Sequence, residues 1–193
     1  MMSVDGVVLA AGLSSRMGTN KMLLKLGEKT VIERCIESMY DYCSHIIVVG
    51  GHYYSETYEL LKPYSKVTMV LNKDYHEGMF SSVKEGVRKV RGGRFFLTPG
   101  DYPLIKGETC KVMLKCKDDI VIPSYEGKKG HPILIDSNLI FDILNNTDYK
   151  TMKDFIHSQG YTTVAVRDKG ILADMDTPEV YENLLSEFML LKI

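Results

Sequence analysis

Short apolar runs alternate along this chain with segments in which apolar residues recur every three or four positions. The runs predict β-strands at residues 7–10, 46–49, 67–71, 94–97, 120–122 and 162–166. The periodic segments predict helices near residues 30–42, 57–61, 83–90, 108–116, 138–144, 151–157 and 180–191. Short strands that alternate with helices indicate an α/β fold, a three-layer α/β/α sandwich around a mostly parallel sheet.

Local chemistry marks where two of these helices begin. Thr30 and Glu33 form a capping box, in which each side chain satisfies a backbone N–H of the first turn. Thr177 is followed by Pro178 and Glu179, so an N-cap residue, a first-position proline and a first-turn acid open the last helix.

Length and composition limit the classes of protein that this chain can represent. Its 193 residues suit one domain spanning 1–193, with residues 128–159 expected to be a small insertion over the carboxyl edge of the sheet. A net charge of −1 offers no general attraction to nucleic acid or membrane, so any anion site must be local. The four cysteines contain no C-x-x-C pair, which argues against a zinc knuckle or a redox dithiol.

The expected location is the cytoplasm. No apolar stretch approaches the roughly 20 residues of a membrane-spanning helix. The first five residues also lack the basic start of a signal peptide.

The first predicted strand runs directly into a loop of small and charged residues. Ala11, Gly12 and Gly18 allow the backbone N–H groups to approach anionic oxygens, since bulky side chains would intrude. Arg16 and Lys21 then supply positive charge. The spacing matches neither the P-loop nor the dinucleotide fingerprint, but the composition suits a polyphosphate.

Acidic residues follow a distant strand and precede the last helix. Asp101 comes just after the strand at 94–97, and Asp174 and Asp176 come late in the chain. Two carboxylates from distant segments can hold one Mg²⁺, the cation that serves phosphoryl-group chemistry. The alternatives are a turn-forming role for Asp101 and a helix-dipole role for the late acids.

A glycine and two serines at 78–82 begin the helix after the third strand. Gly78, Ser81 and Ser82 could place backbone and hydroxyl donors against a ligand, or could merely cap that helix.

Residues 9–24 closely resemble the signature loop of the MobA-like nucleotidyltransferases. The form L-A-A-G-x-S-x-R-M-G-x-x-K-x-L-L is most similar to the molybdenum cofactor cytidylyltransferase branch. Four later segments look like other motifs of the family: 72–82 like N…GM-x-S-S, 100–103 like G-D-x-P, 129–132 like R-G-H-P, and 174–178 like D-I-D-T-P. The resemblance implies the Rossmann-like fold of the nucleotide-diphospho-sugar transferases.

The resemblance also implies roles for individual residues. Arg16, Lys21 and Asp101 would be catalytic, with Asp101 and Asp176 as Mg²⁺ ligands and Asp174 close by. Lys129 and His131 would bind the acceptor, although His131 could instead line a solvated turn. The implied nucleotide-binding residues are Leu9, Ala10, Ala11, Gly12, Ser14, Arg16, Lys21, Asn72, Gly78, Ser82, Gly100 and Asp101.

The function implied is a Mg²⁺-dependent transfer of CMP from CTP to the phosphate of molybdenum cofactor, with release of pyrophosphate and possible delivery to a recipient molybdoenzyme. Ala11, where the guanylyl branch usually has glycine, favours CTP by resemblance. A guanylyltransferase, or a transferase acting on a sugar phosphate or another phosphorylated small molecule, remains an alternative, because Lys25 and Tyr102 depart from the branch pattern. The rival of a different class is a non-catalytic module that hands a cofactor to a molybdoenzyme.

Overall fold

A central sheet of eight strands carries the fold in the computed structural model, which describes residues 3–190 without the side chains of residues 187, 189 and 190. The predicted helix end at Leu191 lies outside the described residues. The strands are β1 (Val4–Ala10), β2 (Lys25–Leu26), β3 (Lys29–Thr30), β4 (His45–Gly50), β5 (Val67–Leu71), β6 (Arg94–Pro99), β7 (Ile120–Tyr125), β8 (Lys128–Lys129), β9 (Ile133–Asp136) and β10 (Thr162–Ala165). The α-helices are α1 (Val31–Tyr40), α2 (Tyr54–Leu61), α3 (Met79–Val87), α4 (Gly107–Met113), α5 (Ile140–Asn145), α6 (Met152–Gln159) and α7 (Pro178–Leu190).

The sheet order is β10-β7-β9-β6-β1-β4-β5, with β8 paired to β7 and with β2 and β3 forming a separate hairpin. Strands β5, β4, β1 and β6 are mutually parallel, which confirms the predicted mostly parallel α/β sheet. Strand β9 is antiparallel to both of its neighbours, β6 and β7. The described chain contains no helix with the length and apolar character needed to cross a membrane.

The segment 128–159 is an integral part of the fold, so its interpretation as an insertion over the sheet edge was wrong. Strand β9 lies within the sheet, between β6 and β7. Helix α6 buries Phe155 and Ile156 in the core on one sheet face. Apolar runs bury their side chains whichever way the strand runs, so the periodicity at 133–135 carried no information about strand direction.

Helices cover both faces of the sheet and divide the core in two. Successive residues of a strand point to opposite faces, so Val8 packs on the side of α1 and α4 while Val7 packs on the side of α3, α5 and α6. The Thr30–Glu33 capping box is present at α1, as predicted. Helix α2 begins at Tyr54, three residues before the predicted start.

Gly86 brings α3 unusually close to the sheet. A Cβ added at Gly86 would lie 2.5 Å from Val7 Cγ1 and 3.0 Å from Val49 Cγ2. Both valine side chains are fully buried, branched and short, so neither can move aside easily. The close contact fixes the height of α3 above β1 and β4.

We expect Gly86→Ala to lower the free energy of unfolding by about 1–3 kcal/mol through overpacking. This sign is opposite to the helix propensity of the substitution, which favours alanine by about 1 kcal/mol. Urea denaturation measures the change, and Gly12→Ala is the control because a Cβ added there meets no atom of the described residues within 4 Å. A Gly86→Ala protein as stable as the wild type would contradict the tight packing of α3.

Candidate active site

The carboxyl ends of β1 and β6 lie side by side and bring two loops together. Leu9 in β1 pairs with Pro99 in β6, so the glycine-rich loop after β1 meets the acidic turn after β6. Gly100 N donates to Leu9 O at 2.9 Å, and a Cβ added at Gly100 would lie 3.2 Å from Met22 Sδ. The absence of a side chain at Gly100 therefore lets the two loops pack together.

Lys21 lies at the centre of this edge, between two carboxylates. Its Nζ donates to Asp101 Oδ2 and, at 2.7 Å, to Asp176 Oδ1. Arg16 Nη1 lies 3.1 Å from the other oxygen of Asp176, Oδ2. The side chains of Lys21 and Asp101 are only 11% and 12% exposed, whereas that of Arg16 is 71% exposed. Four residues predicted for the site are thus assembled from three separate parts of the chain.

The loop after β1 takes its shape from local backbone geometry. Ser14 and Gly18 adopt positive φ angles of 50° and 65°, and the backbone N–H groups of Met17 and Gly18 donate to Ser14 O. Asn20 Oδ1 then accepts from Met22 N at 3.2 Å and opens a short 3-10 helix, Lys21–Leu23. This turn directs the Lys21 side chain back toward Asp101.

The predicted nucleotide-binding positions of the loop divide by exposure. Leu9, Ala10 and Ala11 are buried at the end of β1. Gly12 is exposed, and a Cβ added there meets no atom within 4 Å in the part of the chain that the structure describes. A shallow cavity of about 130 Å³ is lined by Gly12, Ser14, Ser15, Arg16, Met17, Lys21 and Asp176. Its lining of backbone, hydroxyl and cationic groups fits phosphate oxygens.

The charges in the cluster favour an ammonium facing ionised carboxylate. Burial opposes the ammonium form of Lys21, but the charge of Asp101 and hydrogen bonds to both acids outweigh it and raise the pKa of Lys21. The hydrogen bond from Lys21 lowers the pKa of Asp176, and the charge of Arg16 acts in the same direction. Burial raises the pKa of Asp101, although Lys21 partly offsets it.

The two late acids occupy different environments. Asp176 pairs with Lys21 and Arg16, while Asp174 is exposed and lies two residues before it in the same segment. The geometry therefore favours Asp176 over Asp174 as the partner of Asp101. Asp74, His76 and Glu77 also have ligand atoms within 4.8 Å of one another, but all three are exposed on one short turn.

The segment after β5 is held together by its own side chains. Asn72 is 1% exposed, and its Nδ2 donates to the hydroxyl oxygens of Ser81 and Ser82, each at 2.9 Å. Its Oδ1 accepts from Asp74 N at 2.9 Å. Gly78, with a φ of 104°, is the exposed N-cap of α3. Asn72 and Ser82 thus lie beneath the surface and fix the turn that presents Gly78.

A larger cavity of about 430 Å³ lies on the α3 and α6 side of the sheet, and Pro99 and Tyr102, which flank Gly100 and Asp101 in the chain, line it. Its apolar walls include Leu9, Leu97, Pro99, Ile122, Ile133 and Ile156, and its polar groups come from Tyr102, Lys129, His131, Lys153, His157 and Tyr161. The sequence did not indicate that α6 would form a wall of this cavity. The helical spacing of its apolar residues indicated only that α6 packs against the core.

His131 and Lys129, the predicted acceptor residues, both line this cavity. Burial lowers the pKa of His131 to about 4, so the ring is neutral at pH 7. The His131 ring contacts the Tyr102 ring edge to face, with 4.8 Å between the two ring centroids. His131 is half-buried and lines the cavity, which favours the acceptor-binding alternative over a fully solvated turn. Lys129 is exposed and donates to the Tyr161 hydroxyl at 2.6 Å. Positive charge at the end of the cavity next to His131 therefore comes from Lys129.

Comparison with known proteins agrees with this geometry. A family profile described as the MobA-like NTP transferase domain matches residues 6–164. The chain is 31% identical to the molybdenum cofactor cytidylyltransferase of Escherichia coli (strain K12), over 93% of this chain and 94% of that protein. It is 28% identical to a probable molybdenum cofactor guanylyltransferase of Natranaerobius thermophilus, over 96% and 89% of the two chains.

Solved structures agree on the fold. A nucleotidyl transferase from Methanothermobacter thermautotroptrophicus superimposes with a TM-score of 0.84 at 23% identity, covering 97% of this chain and 98% of that one. At this identity the match supports the architecture alone, a three-layer α/β sandwich around a mostly parallel sheet.

We expect Asn72→Ala to lower the free energy of unfolding by about 1–3 kcal/mol, because it leaves buried donors and acceptors without partners. Urea denaturation measures the change, with Asn145→Ala as a control that removes one hydrogen bond from an exposed asparagine. Unchanged stability combined with weaker nucleotide binding would instead mean that the Asn72 side chain contacts the nucleotide.

Proposed function

The chain belongs to the MobA-like NTP transferase family, and on this premise we propose that it is a nucleotidyltransferase that moves CMP from CTP to the phosphate of molybdenum cofactor. The observation that carries the proposal is the Lys21 ammonium, which meets carboxylates from two distant segments at the mouth of an anion-binding loop. Phosphoryl-group transfer needs this combination of positioning and charge neutralisation, and it needs little covalent chemistry from the protein.

In the proposed reaction, an oxygen of the acceptor phosphate attacks the α-phosphorus of CTP. The bond between that phosphorus and the oxygen leading to the β-phosphate breaks, and pyrophosphate leaves. A phosphate monoester is already an anion at neutral pH, so no general base is required. Arg16 and Lys21 are placed to bind the triphosphate and to neutralise the charge that develops on the transferred group.

The residues present fit a Mg²⁺ ion, which we propose as the cofactor. Asp101 and Asp176 both reach a single cation, the Lys21 ammonium, so both can face a common point. Asp101 Oδ1 is buried and has no hydrogen-bond partner among the described residues, which leaves a carboxylate oxygen available as a ligand. When bound, Mg²⁺ would supply charge neutralisation and orientation of the triphosphate oxygens.

Lys21 lies between the two proposed metal ligands and donates a hydrogen bond to each, which bears on whether metal or nucleotide binds first. An ammonium held by both acids competes with a divalent cation for the same oxygens. The triphosphate offers Lys21 an alternative anionic partner, so nucleotide binding would release the two carboxylates. We therefore propose that the metal enters together with the nucleotide.

The larger cavity, which Tyr102 and His131 line, is the proposed site for the acceptor. Its apolar walls suit an uncharged ring system, and Lys129 and Lys153 suit anionic groups. No acidic side chain lines the cavity in the described part of the chain. These features support a heterocyclic phosphate such as molybdenum cofactor, because the apolar walls suit the faces of a flat ring and the polar side chains offer hydrogen bonds to its edge.

Three further parts of the proposal concern the nucleotide, the recipient and the location. The identity to a cytidylyltransferase and the Ala11 position favour CTP over GTP. A recipient molybdoenzyme and a cytoplasmic location remain proposals that follow from the pathway. The non-catalytic rival does not explain why Lys21 meets both the buried Asp101 and the half-buried Asp176, because a binding module has no need for metal ligands.

We expect pyrophosphate release with CTP and Mg²⁺ that depends on added molybdenum cofactor, and much less release with GTP, ATP or UTP. Asp101→Asn and Asp176→Asn should each lower kcat/KM by roughly 10²–10³-fold, because each removes a charge that positions the proposed cation. A coupled phosphate assay measures release, and thermal melts confirm that each variant is folded.

The outcomes of this assay separate the alternatives. Asp174→Asn is the matched variant, and it should retain far more activity than Asp176→Asn if the second acid is assigned correctly. Turnover only with another phosphorylated acceptor would keep the enzyme class and replace the substrate. Stoichiometric binding of CTP and cofactor without any pyrophosphate would overturn the proposal in favour of the non-catalytic module.

We expect Lys21→Met to bind Mn²⁺ in the absence of nucleotide roughly tenfold more tightly than the wild type, because the variant removes a cation that competes within a few ångströms. The electron paramagnetic resonance signal of free Mn²⁺ measures the binding. Lys29→Met is the control, since it removes one positive charge from a surface pair with Glu37. Equal Mn²⁺ affinity in both variants would refute competition between Lys21 and the metal.

A further inference from the structure

The segment 168–176, here called the strap, lies between β10 and α7 and ends at Asp176. The strap contacts the acidic turn directly, because Met175 N donates to Asp101 O at 2.9 Å. It also contacts the loop before β9, because His131 N donates to Ile171 O at 3.0 Å. The strap therefore links both proposed metal ligands to the wall of the acceptor cavity.

Asp168 anchors the other end of the strap. Asp168 is only 3% exposed. Its Oδ2 accepts hydrogen bonds from Lys106 N at 2.8 Å and from Thr109 Oγ1 at 2.7 Å. Its Oδ1 accepts from Gly170 N at 3.0 Å within the strap itself. One carboxylate thus ties the start of the strap to the start of α4.

These contacts hold the strap to the segment 101–106 at two points. Met175 is tied to Asp101 at one end of that segment, and Asp168 is tied to Lys106 at the other. Between them, the backbone of Gly170 packs against the Leu104 carbonyl so closely that an added Cβ would overlap it. A displacement at Asp168 would therefore change where the strap places Asp176 relative to Asp101.

We propose that Asp168 is a positioning residue that sets the relation between the Asp101 and Asp176 carboxylates; the inference rests on the proposed function of those acids as metal ligands. Among the described residues, the side-chain hydrogen bonds of Asp168 go to Lys106, Thr109 and Gly170, and Asp168 does not line the acceptor cavity, so its effect on the site is transmitted through the strap. Partners that orient metal ligands from behind typically change metal affinity by 10–100-fold when they are removed.

The test compares Asp168→Asn with Asp5→Asn. Asp5 is a matched control because it is also buried and accepts two backbone N–H groups, from Arg91 at 2.7 Å and Gly92 at 2.9 Å, at the opposite end of β1. Mn²⁺ affinity is measured by paramagnetic resonance without nucleotide, in the Lys21→Met background, which lacks the competing ammonium. Thermal melts report the stability of both variants.

We expect Asp168→Asn to weaken Mn²⁺ binding by about 10–100-fold, while Asp5→Asn loses stability but keeps its Mn²⁺ affinity. In the background with Lys21 intact, Asp168→Asn should lower kcat/KM for CTP, because metal and nucleotide are proposed to bind together. If Asp168→Asn does not fold, Thr109→Val removes a single hydrogen bond to Asp168, and Thr57→Val is its control, a buried threonine bonded to Tyr53 O in α2.

A purely structural role predicts a different result. Equal stability losses in Asp168→Asn and Asp5→Asn with unchanged Mn²⁺ affinity would overturn the positioning role. Mn²⁺ binding that depends on Asp168 in a protein without turnover of CTP would instead support the inference and refute the proposed function. The absence of any Mn²⁺ binding in Lys21→Met alone would remove the metal site, and the positioning role with it.

Discussion

The contact on which the site depends is the Lys21 ammonium held between two carboxylates. Burying any of these charges alone would be costly, and the cost is offset only when the three are brought together. The cluster therefore constrains the loop after β1, the turn after β6 and the strap at once. A chain segment that moved out of register would leave an uncompensated charge near the protein interior, so the fold and the site are stabilised by the same interaction.

The sheet makes this cluster possible through the pairing of β1 with β6. Parallel neighbours end at the same edge, so residues about 80 positions apart in sequence arrive within hydrogen-bond distance. Close backbone packing completes the arrangement, because Gly100 admits the Met22 side chain and Gly170 admits the Leu104 carbonyl. The precision of the site thus comes from regular strands and glycine contacts, while the loops supply the chemistry.

Much of this architecture could be predicted from the sequence because its signals are local. The loop after β1 and the acid after β6 each follow an apolar run. A predicted strand followed by small or acidic residues indicates a ligand site at the carboxyl edge of a parallel sheet. The direction of β9 could not be predicted, since a buried strand has the same pattern in either direction. Asn72 illustrates a second limit, because a motif match cannot distinguish a side chain that meets a ligand from one that holds the turn beneath it.

Other parts of the site carried no local signal at all. Asp168 is a single acid outside every motif, and its importance comes from three donors that are close only after folding. The acceptor cavity is similar, since α6 contributes to its wall through ordinary helical spacing. This cavity places His131, whose pKa is lowered by burial, against the Tyr102 ring, and its lysines, Lys129 and Lys153, are exposed. Lys21, Asp101 and Asp176 are not among the residues that line this cavity in the described part of the chain, so under the proposed function the choice of acceptor falls to the cavity walls, which include Tyr102 and His131.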